Sequence, residues 1–190
     1  MGNVILLLGP HGVGKTALVE YARSKNDFLA YDGFKISIDG YDLTKIDDFI
    51  LCQERYIQKA SVICDKIKRG TVNGIVLRSP EESLFYCELY SNPDVARNLL
   101  KLTLKKRNYE GADFIVFLTA TRTELQARCE KDQNRNFVNT EQWYKVFYQK
   151  YEEYWSLYPN VIFINTSGKT VSEVYNEFKK VLIEKGLIVN

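Results

Sequence analysis

The segment Gly9-Pro-His-Gly-Val-Gly-Lys-Thr16 brings three glycines, a lysine and a hydroxyl together within one short stretch. Its spacing fits G-x-x-x-x-G-K-[ST], a pattern that carries meaning between a strand and a helix. Both flanks are present: Val4–Leu8 is continuously apolar, and helical periodicity begins at Lys15. At Gly9, Gly12 and Gly14 no β-carbon obstructs backbone N–H groups, Val13's among them, from turning inward around anionic oxygens. The following helix aims its N-terminal partial positive charge at the same oxygens. Lys15 is then placed to neutralise the β- and γ-phosphates of a nucleoside triphosphate, and the Thr16 hydroxyl to coordinate Mg²⁺. ATP with Mg²⁺ is the expected ligand; a chance glycine-rich turn would not carry both flanking elements. His11, the single histidine, occupies a variable loop position, so a solvated or phosphate-flanking side chain explains it better than a general base.

Such a loop needs a rigid frame, and the rest of the chain reads as one. The runs 74–77, 114–118 and 161–164 repeat the apolar character of Val4–Leu8, as strands buried on both faces of a parallel sheet do. Residues 28–31 and 34–38 compete for one further strand. Ile46, Phe49, Ile50, Tyr56, Ile57, Ala60, Ile63, Cys64 and Ile67 recur at helical spacing. Asp47 and Asp48 suit the start of that helix; Lys66, Lys68, Arg69 and then Gly70 suit its end. Further helices are expected over 15–25, 81–90, 94–106, 123–132, 140–157 and 171–185. Strands alternating with helices imply right-handed crossovers. The expected architecture is therefore α/β: three layers, with a parallel sheet of about five strands flanked by helices.

At 190 residues and 22.1 kDa the chain suits a single domain, 1–190, that can bury a core without disulfides or metal. Hydrophobic residues at 45% and charged residues at 26% exclude a disordered tail, a collagen-like chain and a coiled-coil rod. A net charge of +2 advertises neither nucleic acid nor membrane as a partner. Cys52, Cys64, Cys87 and Cys129 form no C-x-x-C pair, and with one histidine the usual zinc constellations are excluded. The start of the chain lacks the basic lead of a signal peptide, and no window approaches the roughly 18 uncharged apolar residues of a membrane span. The expected location is the cytoplasm. Lys101 and Lys105 to Arg107 end a helix, where cations complement its dipole, and the aromatic series from Tyr144 to Trp155 has the spacing of a packed helix face.

The tighter form G-x-x-G-x-G-K-T is similar to the loop of nucleoside and nucleoside-monophosphate kinases. The stretches 50–70 and 75–83, Phe117 to Arg128, and the segments 144–155, 161–166 and 171–182 resemble thymidylate kinase and deoxynucleoside kinase in the same order. The resemblance implies a P-loop kinase whose acceptor is a nucleoside or nucleotide. It also implies that Gln53 or Arg55 reaches a base or acceptor phosphate from the long helix, although both equally suit a polar helix face. It makes Arg78 a phosphoryl-stabilising cation at a strand end; a structural ion pair is the other reading. Arg128, Lys131 and Arg135 lie at offsets of three and four, one face of a helix within a lid segment near 122–139. The interspersed Glu124, Glu130 and Asp132 suit an ordinary solvated face as well.

In one respect the chain departs from that family. Its members carry Asp or Glu just before the arginine of the third strand, and here the pair is Leu77-Arg78. Asp39, or else Glu81 and Glu82, must replace the missing acid. Asp39 is the better placed, beyond a strand-like run, yet Asp39-Gly40 also reads as a turn. The departure keeps two other functions open: a nucleotide-binding switch with weak catalysis, and a kinase for another small metabolite. The expected partners are thus a small nucleoside or nucleotide acceptor and at most a second copy of the chain, as a homodimer, with no nucleic acid and no membrane.

Overall fold

The computed structural model describes residues 1–31, 40, 42, 45–77, 82, 87, 93–106, 111–131, 153, 155 and 161–188. Its elements run β1 (Val4–Leu8), α1 (Lys15–Lys25), β2 (Leu29–Tyr31), α2 (Ile46–Arg69), β3 (Gly74–Leu77), α3 (Pro93–Lys106), β4 (Phe114–Thr119), α4 (Arg122–Lys131), β5 (Val161–Asn165) and α5 (Val171–Glu184). The strands form one five-stranded parallel sheet in the order β2-β3-β1-β4-β5. Central β1 pairs with β3 through Leu7 and Leu77 and with β4 through Leu8 and Phe117. Of the two candidates for a further strand, the piece around 28–31 supplies β2; residues 34–38 lie outside the described ones, as do most of the helices expected over 81–90 and 140–157.

All five residues of β1 are buried, which accounts for its unbroken apolar run. Alternation then divides them between two cores. Ile5 and Leu7 face Leu18, Val19 and Ala22 of α1 and Val174, Phe178 and Leu182 of α5. Leu6 and Leu8 face Trp155 on the other side, and Val4 packs with Cys64 and Ile67 of α2. Helix α2 then buries Phe49 and Ile57 against Ala96 and Leu100 of α3. The sheet is therefore sandwiched between α1 and α5 on one face and α2 and α3 on the other.

Helix α2 has the acidic start and basic end that favour its dipole. Helix α5 begins with a capping box, in which the Thr170 side chain accepts from the Glu173 N–H and the Glu173 carboxylate accepts from the Thr170 N–H. Phe178 has no exposed surface and meets Phe28 edge to face at 5.8 Å between ring centres. Phe178→Ala should therefore cost about 3–5 kcal/mol of stability. Chemical denaturation reads this directly, and an unchanged midpoint at equal slope would contradict the packing.

Among the described residues, no helix is long and apolar enough to cross a membrane.

Candidate functional site

The loop between β1 and α1 leaves the centre of the sheet at the carboxyl end of its middle strand. After β1 the chain turns to the α1 face, whereas β3 is reached through α2 on the opposite face. The neighbouring ends of β1 and β3 therefore form the crevice in which open α/β sheets bind ligands.

Gly9, Gly12 and Gly14 all have positive φ, at 137°, 78° and 100°. The surroundings give each a different reason to be glycine. A β-carbon on Gly9 would stand 2.4 Å from the Leu118 carbonyl oxygen, and one on Gly12 would stand 2.8 Å from Cys129 Sγ and 3.1 Å from the Leu125 carbonyl oxygen. These two glycines let the loop lie against β4 and α4. A β-carbon on Gly14 would meet nothing within 4 Å and would project into open space.

Gly14 is also the residue before α1, and it offers no side-chain cap; the first turn of α1 carries no acid. The helix's leading N–H groups thus keep the capacity to bind an anion. Lys15 is half-buried, and its Nζ donates to the carbonyl oxygens of Gly9 and, at 2.9 Å, Pro10. Both of these carbonyls are neutral acceptors, which an anionic phosphate would outbid electrostatically. Thr16 is exposed at the start of α1. Val13 has the reverse disposition, with its side chain buried in the α1 core. Its place in the motif is variable, yet it plugs the loop into the sheet.

Helix α4 lies directly behind this loop. Arg128 Nη1 donates to Thr166 Oγ1 and Nη2 to the Thr166 carbonyl oxygen, both at 3.1 Å. Nη2 also stands 3.8 Å from Glu124. The Glu124 carboxyl lies below its usual range, because it accepts from Ser167, the Gly168 N–H and Thr121, with Arg128 nearby. Thr166 is 3% exposed and follows β5; its hydroxyl lies 3.2 Å from the Val13 carbonyl oxygen and 3.1 Å from that of Thr119. One residue not evident from spacing thus joins the phosphate loop, the end of β4 and α4. Its only signal in the sequence is its position just beyond an apolar run.

The structure brings Gly9, Gly12, Val13, Gly14, Lys15, Thr16 and Arg128 into one neighbourhood. Lys131 is exposed at the last residue of α4, on the side shared with Arg128, while Arg135 lies outside the described residues. Gln53 is half-buried and Arg55 exposed on α2. Arg78, Asp39 and Glu81 also lie outside the described residues. Leu77 does not: it is 6% exposed and packs in the same cluster as Leu7, Val13 and Leu18. The strands beside β1 end in Leu77 and Thr119, so neither terminal residue supplies a carboxylate to the crevice. Among the described residues, no group of three or more His, Cys, Asp or Glu side chains is placed to hold a metal. Mg²⁺ usually keeps several waters and takes its other ligands from the nucleotide's phosphates, so the exposed Thr16 hydroxyl beside the Gly14 opening suits that mode.

No protein-family model matches the sequence, and no curated protein resembles it in sequence. Solved structures do resemble it in shape. Deoxyadenosine kinase from M. mycoides with bound dATP superposes with a TM-score of 0.68 at 14% identity, over 95% of this chain and 99% of that one. Thymidylate kinase from Candida albicans gives 0.59 at 14% identity, over 100% and 96%. The chain has the fold of the P-loop nucleoside and nucleotide kinases. NadR protein in complex with NR gives 0.64 at 14% identity, with all of this chain matching 53% of that one. These likenesses in fold cover 95–100% of this chain.

Proposed function

We propose that this protein transfers a phosphoryl group from ATP to a nucleoside or a nucleoside monophosphate. The observation that carries this reading is the phosphate cradle: an open space at Gly14, the uncapped start of α1, and Lys15 at its mouth. Kinases of nucleosides and nucleotides among its structural neighbours support the acceptor class.

In this reading the Gly12 and Gly14 N–H groups bind the phosphates, joined by the Val13 N–H as it leaves the Pro10 carbonyl oxygen 3.4 Å away, with Gly9 shaping the turn. Lys15 leaves the Gly9 and Pro10 carbonyls for the β- and γ-phosphates as ATP enters. Thr16 would hold Mg²⁺, which would supply positive charge beside the phosphate oxygens. Arg78 stabilises the charge that grows on the transferred group, and Arg128, Lys131 and Arg135 border the nucleotide within the 122–139 lid. Gln53 and Arg55 meet the acceptor, and Asp39 stands in for the acid absent at Leu77. Catalysis is then positioning and charge stabilisation. The buried thiols of Cys52, Cys64, Cys87 and Cys129 favour a reducing compartment, the cytoplasm.

Two measurements test this. ATP·Mg²⁺ at about 100 times its dissociation constant should stabilise the fold by about 2.7 kcal/mol. An unchanged melting temperature at independently confirmed saturation contradicts binding to the native state. Next, ATP consumption is screened against the common nucleosides and their monophosphates, with at least one expected to drive turnover. Leu77 in the core favours a second reading, a nucleotide-binding switch. That reading gains if ATP binds and no acceptor is consumed.

A further inference from the structure

We propose that Thr166 is a positioning residue for the phosphate loop: its hydroxyl fixes the Val13 carbonyl and thereby aims the Gly14 N–H. The inference rests on the reading of that loop as the ATP site and adds to it a residue outside the motif.

A threonine hydroxyl has one proton. Two carbonyl oxygens lie within its reach, at 3.2 Å on Val13 and 3.1 Å on Thr119. The Thr119 oxygen already accepts the Thr166 backbone N–H at 2.8 Å. A carbonyl oxygen can accept twice, so the hydroxyl can serve either one; the bond to Val13 is the one that reaches the loop, and among the described residues its carbonyl has no such N–H. Arg128 Nη1 donates to the same hydroxyl oxygen, and a cationic donor polarises the O–H and strengthens its own donation. Nη2 on the Thr166 carbonyl fixes the guanidinium beside the hydroxyl.

The Val13 carbonyl and the Gly14 N–H belong to one planar trans peptide and point in opposite directions. Tying the carbonyl to Thr166 therefore points the N–H away from Thr166. Glycine's freedom at φ 100° would otherwise let that peptide rotate. Thr166 removes the freedom without touching the ligand.

The test compares Thr166→Val, which keeps the shape and loses the hydroxyl, with Thr166→Ser, which keeps the hydroxyl. ATP·Mg²⁺ affinity should fall about tenfold in the valine variant, as expected when a buried carbonyl loses its donor. The serine variant should stay near wild type. Because the Gly14 N–H serves ground and transition states alike, KM for ATP should rise while kcat holds. Wild-type affinity in Thr166→Val, or equal weakness in Thr166→Ser, overturns the proposal. Should the valine variant not fold, Thr166→Ala against Thr166→Ser makes the same comparison. A wild-type protein that binds no ATP would overturn the reading of the loop instead. Backbone order at Gly14, read from NMR relaxation of the ligand-free protein, still decides Thr166's role, being lower in Thr166→Val than in Thr166→Ser if the proposal holds and equal in both if it fails.

Discussion

Lys15→Ala should lose ATP binding and keep its fold. The ammonium donates to Gly9 and Pro10 carbonyls of its own loop, and the side chain belongs to none of the core clusters. Water can replace it at those carbonyls, so removing it costs the fold little. The ligand loses far more. Without the ammonium, the β- and γ-phosphates rest on neutral N–H groups at a site that electrostatic attraction no longer favours. Calorimetric titration with ATP·Mg²⁺, alongside circular dichroism, checks both halves. A folded variant with wild-type affinity rejects the assignment of the phosphate loop.

Arg78→Ala should slow phosphoryl transfer about 10²–10³-fold and leave ATP affinity nearly unchanged. Arg78 follows Leu77, the last residue of β3, and β3 lies beside β1 at the crevice. In the proposed reaction a cation at that position serves the transferred group, whose negative charge needs more stabilisation in the transition state than in the ground state. Loss of such a contact lowers kcat and kcat/KM together. Steady-state kinetics with the best acceptor checks it, and normal turnover in the variant removes Arg78 from the mechanism.

The glycine turn between β1 and α1 was legible because its pattern is local. Three glycines, a lysine and a threonine at fixed spacing, between an apolar run and a helical period, specify a backbone shape before any tertiary contact forms. The buried strands were legible for a related reason: β1 is covered on both faces and reads as five apolar residues in a row. Edge strand β2 is three residues long, with Leu29 exposed, so two stretches of sequence fitted the place equally well.

Thr166 was not readable. Its bonds reach Val13, Thr119 and Arg128, which adjoin it only once β1, β4 and α4 have assembled. Leu77 stands between these cases. The sequence marks it as an acid missing from a familiar pair, and the structure supplies the physical sense of the change. An apolar side chain at the end of β3 extends the α1 core up to Val13, where an ionised carboxylate would have to be desolvated.

Phosphoryl transfer itself is the central claim, and ATP labelled at its γ-phosphate tests it most directly. The labelled nucleotide, Mg²⁺ and the acceptor that drives ATP consumption are incubated with wild-type protein and with Lys15→Ala, and the products are separated. The account predicts that the wild type moves the label onto the nucleoside or nucleoside monophosphate with matching release of ADP, and that Lys15→Ala leaves it on ATP. Label recovered from the wild type only as inorganic phosphate, or left on ATP at saturation, would contradict it.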